Sequence, residues 1–177
     1  MLTESAVGVG ESAQAQRSRS RHSRFDALVV GGSTGGIQAL NELLPPLTRE
    51  LEVAVVIAVH VPARVPSLLV PIYERRCSLP VREALDKQPV SPCTIWFAPP
   101  DYHLMIERTH TFALSLDEPV NFSRPSIDVL FESAAWAYGP RVLGVILSGA
   151  SRDGSQGALT LRERGGVLAV QDPACSE

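Results

Sequence analysis

Two hydrophobic periods alternate along the chain from Phe25 onward. Short β-branched runs are followed by stretches in which apolar side chains recur every three or four positions, the pattern of a parallel sheet wrapped by helices. Residues 27–30, ALVV, are predicted as the first strand. Ile37, Leu40, Leu43, Leu44 and Leu47 then share one face of a helix that Pro45 and Pro46 end, because proline has no N–H to donate and crowds the preceding turn. Residues 53–59, VAVVIAV, contain no polar side chain, as expected of a central parallel strand covered on both faces, and His60 follows at the carboxyl end. After a proline-punctuated segment, residues 94–98 read as a strand, and residues 103–107 with 111–116 as a β-hairpin turning near Arg108 to His110. Pro125 and Ser126 open a helix that Gly139 and Pro140 close. A further buried strand is predicted over 142–148, then a loop, a short helix over 158–166 and a last strand over 167–171. The fold class predicted is α/β: a doubly wound, mostly parallel sheet flanked by helices in three α/β/α layers, with a small β-hairpin.

Composition narrows the picture. With 177 residues, 45% of them hydrophobic, the chain can bury one sizeable core. Residues 25–177 are therefore read as one domain. Residues 1–24, rich in Ser, Gln, Ala and Arg, have little to bury and are expected to be a disordered or linker tail, whose Arg17, Arg19, Arg21 and Arg24 form a solvated cluster. A net charge of −3 argues against nucleic acid as a partner. Cys77, Cys93 and Cys175 form no CxxC and no ligand spacing with the four histidines, so neither a disulfide framework nor a metal site is expected. No apolar run is long enough to span a bilayer and no secretory signal opens the chain, which predicts a cytoplasmic protein without membrane insertion.

Candidate chemistry begins at Gly31-Gly32-Ser33-Thr34-Gly35, a G-x-S-x-G between a strand and a helix. Glycines there let the chain turn sharply, which presents a serine hydroxyl as a nucleophile elbow does. Two other readings remain at this level: a phosphate-cradling loop and a purely structural turn. The dinucleotide spacing G-x-G-x-x-G would place glycine at position 33, and the phosphate-binding pattern needs a lysine that is absent, so spacing weighs against the phosphate loop.

A serine nucleophile needs a base, and preferably a carboxylate to orient that base. In open α/β sheets the site lies beyond the carboxyl ends of the strands. His60 follows the second strand there, and Asp153 lies in the loop after residues 142–148. Each alone has a bland reading, a structural histidine and a turn residue. Together three strand ends supply Ser33, His60 and Asp153. His103 follows another strand at a greater remove and is the weaker candidate, while His22 and His110 fall in the tail and a turn.

VVGGSTGG, VAVVIAVHVP, IWFAPPDYHL, RPSIDVLFESAA and LGVILSGASRDGSQG, in that order and together spanning about residues 28–172, resemble the catalytic domain of the chemotaxis-specific protein-glutamate methylesterases. The resemblance implies a serine hydrolase that removes methyl groups from glutamate methyl esters of chemoreceptors and also deamidates receptor glutamines. Ser33 would be the nucleophile, His60 the general base and acid, and Asp153 the group that orients His60. Backbone amides around Thr34 and Ala150 would form the oxyanion hole. No cofactor and no metal are implied, and the partners would be the cytoplasmic helices of methyl-accepting chemoreceptors, with a separate receiver or other signalling protein.

Departures from the family pattern sit close to this site. The loop before the aspartate usually reads Gly-Met-Gly-x-Asp, whereas here it is Gly149-Ala150-Ser151-Arg152-Asp153. Val61, Val65 and Pro66 replace a more usual Met, Phe and Thr. The first 24 residues are too few for the receiver domain that family enzymes commonly carry, and the end at QDPACSE predicts a shortened C-terminus. These departures motivate the alternative of a methylesterase-like scaffold or binding module without turnover.

Overall fold

A computed structural model describes residues 23–33, 35–60, 67–147 and 152–172. The order of elements is β1 (Ala27–Gly32), α1 (Gly36–Leu43), β2 (Ala54–Val59), α2 (Leu69–Glu74), β3 (Val81–Glu83), β4 (Thr94–Phe97), β5 (His103–Ile106), β6 (Phe112–Ser115), α3 (Ile127–Tyr138), β7 (Val142–Ile146), α4 (Ser155–Glu163) and β8 (Val167–Val170). Six strands form one sheet in the order β3-β4-β2-β1-β7-β8, and every pairing in it is parallel. β5 and β6 pair antiparallel as a separate hairpin. The chain starts at mid-sheet, builds outward through β2 and β4, then returns to β1's other side to add β7 and β8. The order reverses between β1 and β7, and a crevice at the carboxyl ends follows from that reversal.

Alternation along the strands divides the core into two. Ala27, Val29, Val56, Ala58, Trp96 and Val142 face α3, α4 and the hairpin, where they meet Leu130, Phe131, Leu161, Leu104 and Phe112. Leu28, Val30, Val55, Ile57, Val59, Ile95 and Phe97 face the other way, onto Leu40 and Leu44 next to α1 and onto Leu69 and Tyr73 of α2. β1 and β2 are buried at every residue, which is why they read as unbroken apolar runs. The result is the predicted three-layer α/β/α architecture.

Several boundaries differ from the sequence reading. α1 stops at Leu43, ahead of the Pro45-Pro46 pair and short of Leu47. α4 begins at Ser155, three residues before the predicted start, because Gly154 takes a φ of 106° that lets the chain turn straight into the helix. α2 and β3 were not anticipated at all. Pro71 falls in the first turn of α2, where its missing N–H would have had no intrahelical partner, and burial of Leu69 and Tyr73 sustains the helix. β3 is three residues long with one buried side chain, Val81, too short to show a period. The predicted tail lies almost wholly outside the described residues.

Candidate active site

The register of the two central strands aligns two of the three residues named above. Gly32 is the Cα partner of Val59, and the His60 N–H donates to the Gly32 carbonyl at 3.1 Å. Ser33 and His60 are the residues that follow this last pair of the ladder. Val56 and Ala58, in phase with His60, face α3, and His60 meets Asp153 on that side. Gly31 is in the same phase, and a Cβ there would overlap Ile127 Cγ2 at the start of α3. Glycine at this position lets the N-terminus of α3 press against the end of β1. Ser33 is half-buried, and its carbonyl accepts from the Gly36 N–H at 2.9 Å in the turn that leads into α1.

Asp153 arrives from the opposite side of the switch point, between β7 and α4. Its fully buried carboxylate meets His60 with Oδ2 2.7 Å from Nε2. The same Oδ2 accepts from the Ile127 N–H at 2.7 Å, and Oδ1 accepts from the Ser126 hydroxyl at 2.7 Å and the Asp128 N–H at 3.0 Å. Ile127 and Asp128 open α3, so the carboxylate occupies the positive end of that helix and satisfies two of its unpaired N–H groups. Burial pushes the acid's pKa up, but the hydrogen bonds from His60, the two amides and Ser126 outweigh it, and the value falls to about 2. Asp153 is therefore an anion across the physiological range, held at four points.

Three further residues complete the setting. Ser126 is the N-cap of α3: its hydroxyl accepts from the Val129 N–H at 3.4 Å while donating to Asp153. Its own N–H donates to His103 Nδ1 at 3.2 Å, and the other ring nitrogen of His103 lies 3.1 Å from the Glu118 carbonyl. These contacts use Nδ1 of the buried His103 as acceptor and Nε2 as donor. Asp128 accepts with Oδ1 from the N–H groups of Gly154 and Gly157, at 2.9 and 2.7 Å, and with Oδ2 from Asn121 Nδ2 at 2.8 Å.

The structure thus brings His60 and Asp153 into direct contact, and Ser33 directly follows Gly32, whose carbonyl accepts from the His60 N–H. His103, the weaker histidine candidate, lies behind Ser126 and away from the His60 pair. Thr34 and Ala150, named for the oxyanion hole, lie outside the described residues, as do Val61, Val65, Pro66 and the Gly149–Ser151 stretch. Sequence reasoning used Ser126 only as a helix starter and did not single out Asp128. A signal was present, because Asp128 is a charged residue inside RPSIDVLFESAA at the head of an otherwise apolar helix, a placement that favours a capping or polar-network role. Among the described residues no three His, Cys, Asp or Glu side chains gather as a metal site, and no helix is long and apolar enough to cross a membrane.

Residues 28–177 match the family model of the CheB methylesterase. The chain belongs to that family. A Leptospira interrogans relative carrying the protein-glutamate methylesterase/protein-glutamine glutaminase class name is 44% identical over 153 residues, which cover 86% of this chain and 79% of the relative. Protein-glutamate methylesterase/protein-glutamine glutaminase 1 of Rhodospirillum rubrum is 36% identical over 99% of this chain, but 48% of its own length is covered. The crystal structure of the Thermotoga maritima CheB methylesterase catalytic domain superposes with a TM-score of 0.78 at 30% identity, covering 81% of this chain and 78% of that one. The mostly parallel sheet with flanking helices is the fold of the CheB catalytic domain, and the family's activity is that of a carboxylic ester hydrolase.

Proposed function

We propose that this CheB-family domain hydrolyses methyl esters of glutamate side chains on the cytoplasmic helices of chemoreceptors, with Ser33 as nucleophile, His60 as general base and acid, and Asp153 as the orienting carboxylate. The observation that carries the assignment of roles is the buried His60–Asp153 hydrogen bond at the strand ends, with Ser33 one residue beyond the Gly32 carbonyl that accepts from the His60 N–H. His60 donates Nε2–H to Asp153, so Nδ1 is the nitrogen that takes the proton from Ser33 Oγ as the oxygen attacks the ester carbonyl. Collapse of the tetrahedral intermediate expels methanol, which receives that proton from His60. Water then attacks the acyl-enzyme, giving its proton to Nδ1, and Ser33 leaves reprotonated with a free glutamate carboxylate as product. The backbone N–H groups of Thr34 and Ala150 are assigned to the developing oxyanion. The same steps applied to a glutamine side chain release ammonia, which accounts for deamidation. Asp153 stays ionised throughout and favours the imidazolium that forms at His60. A receptor helix as substrate would put the reaction in the cytoplasm.

The test is methanol release from methyl-labelled receptor membranes. The intact chain should release methanol, and Ser33→Ala should lower the rate by at least about 10³-fold. Equal rates would remove Ser33 from the mechanism. No release by the unmodified chain would favour the scaffold reading.

A further inference from the structure

We propose that Asp128 is a positioning residue for the reaction, holding the catalytic carboxylate in place by a reciprocal exchange of helix caps. The inference rests on the roles proposed above for Ser33, His60 and Asp153. Asp153 lies just ahead of α4 yet caps α3, accepting from the Ile127 and Asp128 N–H groups. Asp128 lies in the first turn of α3 yet caps α4, accepting from the Gly154 and Gly157 N–H groups. Each carboxylate binds the backbone that carries the other, closing a ring between two helix N-termini. Ser126 and the α3 amides set how the Asp153 carboxylate is turned. Asp128 acts on a different part of the same residue: the Gly154 N–H it binds belongs to the peptide unit that follows Asp153, so it fixes where the Asp153 backbone stands.

Two features show that the exchange is built to close tolerances. A Cβ on Gly157 would lie 2.8 Å from the Asp128 carbonyl oxygen and 2.7 Å from Phe131 Cβ, so the helices meet at a distance no other residue allows. Asn121 holds the remaining oxygen of Asp128, which stops the carboxylate from turning away from α4. A neutral N-cap such as serine suffices where a helix end merely needs an acceptor, yet here two buried aspartates serve. The pair makes sense if the placement of Asp153, and through it of the His60 ring, is what matters. Small errors in that placement slow the chemistry, because misalignment of reacting groups by about 1 Å can cost about 10²-fold in rate.

The experiment compares Asp128→Ala, Asp128→Asn and Ser33→Ala in methanol release, with folding checked by circular dichroism and melting temperature. The low-field proton resonance of the His60–Asp153 hydrogen bond is recorded alongside. Asp128→Ala should lower kcat by about 10- to 100-fold with KM within about twofold, and should shift or abolish the low-field resonance. Asp128→Asn keeps an acceptor in the same place and should recover kcat to within about fivefold of the unmodified chain. Folded Asp128→Ala with normal kcat and an unchanged resonance overturns the proposal, as does an Asn variant as slow as the Ala variant. If Asp128→Ala does not fold, Asn121→Ala takes its place: a kcat loss of about threefold with unchanged KM and a disturbed resonance supports the proposal, and an unchanged kcat overturns it. Full activity in Ser33→Ala would instead sink the underlying catalytic reading, so the two failures are distinguishable.

Discussion

The two faces of the sheet are held to their helices by different physics. On the face of α1 and α2, contact with the sheet is apolar: Leu40, Leu44 and Tyr73 pack on Ile57, Ile95 and Phe97, and Tyr73 stacks on Phe97 with ring centroids 5.6 Å apart, while its hydroxyl, at the edge, lies 3.2 Å from the Ile37 carbonyl and from Asn41 Oδ1 of α1. No side chain of the N-cap residue closes either helix, and only Ser67 Oγ, accepting from the Leu69 N–H at 3.3 Å, reaches the start of α2. On the α3 and α4 face the apolar layer is as complete, but the N–H groups at both N-termini donate to Ser126, Asp128 and Asp153 in largely buried hydrogen bonds. Apolar contact is non-directional and fixes distance better than orientation, whereas a hydrogen bond fixes both. The face on which Asp153 meets His60 is the one whose helix N-termini carry buried directional bonds.

Substitutions should separate the faces by what they damage. The largest effect belongs to Asp153→Asn, which loses the anion facing His60 and cannot accept at both oxygens; kcat should fall on the order of 10³- to 10⁴-fold in methanol release, the scale known for the equivalent change in other hydrolase triads. Leu40→Ala, on the opposite face, should cost about 2–5 kcal/mol in denaturant unfolding while kcat per folded molecule stays normal. A large drop in kcat there would break the division of labour between the faces. Gly31→Ala joins the two cases, since its Cβ would push Ile127 and the start of α3 off β1. It should destabilise by about 1–3 kcal/mol and, unlike Leu40→Ala, also lower kcat with little change in KM.

Acid provides a gentler comparison. The folded pKa of Asp153, about 2, lies below its ordinary value near 3.8, so the unfolded chain takes up a proton first as pH falls. The stabilisation is complete above about pH 5 and is lost progressively as pH falls toward 2; it amounts to about 2 kcal/mol. Urea unfolding at pH 7 and pH 3 should show this loss in the unmodified chain and a smaller one in Asp153→Asn. An equal acid response in both would mean that the hydrogen bonds to α3 do not hold this carboxylate in its ionised form.

The parts of the molecule that were legible in the sequence are those with a long local period. β1, β2, β7 and α3 each bury a repeating set of side chains, and α3 also carries its own start and stop residues, Ser126 and Gly139. β3 and α2 were missed because each rests on one or two buried side chains supplied by neighbours distant in sequence. The same difference separates His60 from Asp128. His60 is placed by the end of an obvious strand. Asp128 looks like any charged residue on a helix until a second helix is set across it.

The sequence by itself determined the alternation that commits strands to two buried faces and the glycine-rich turn that delivers Ser33 after β1. It determined these because backbone periodicity and the absence of a Cβ act over a few residues. The tertiary structure alone decided that β1 and β2 end in register at Gly32 and Val59, that β7 comes to lie against the other side of β1, and that Asp153 reaches His60 from 93 residues away to sit on the N-terminus of α3. These are pairings between distant segments, set when parallel strands choose their neighbours and helix ends choose their caps. No local pattern specifies them.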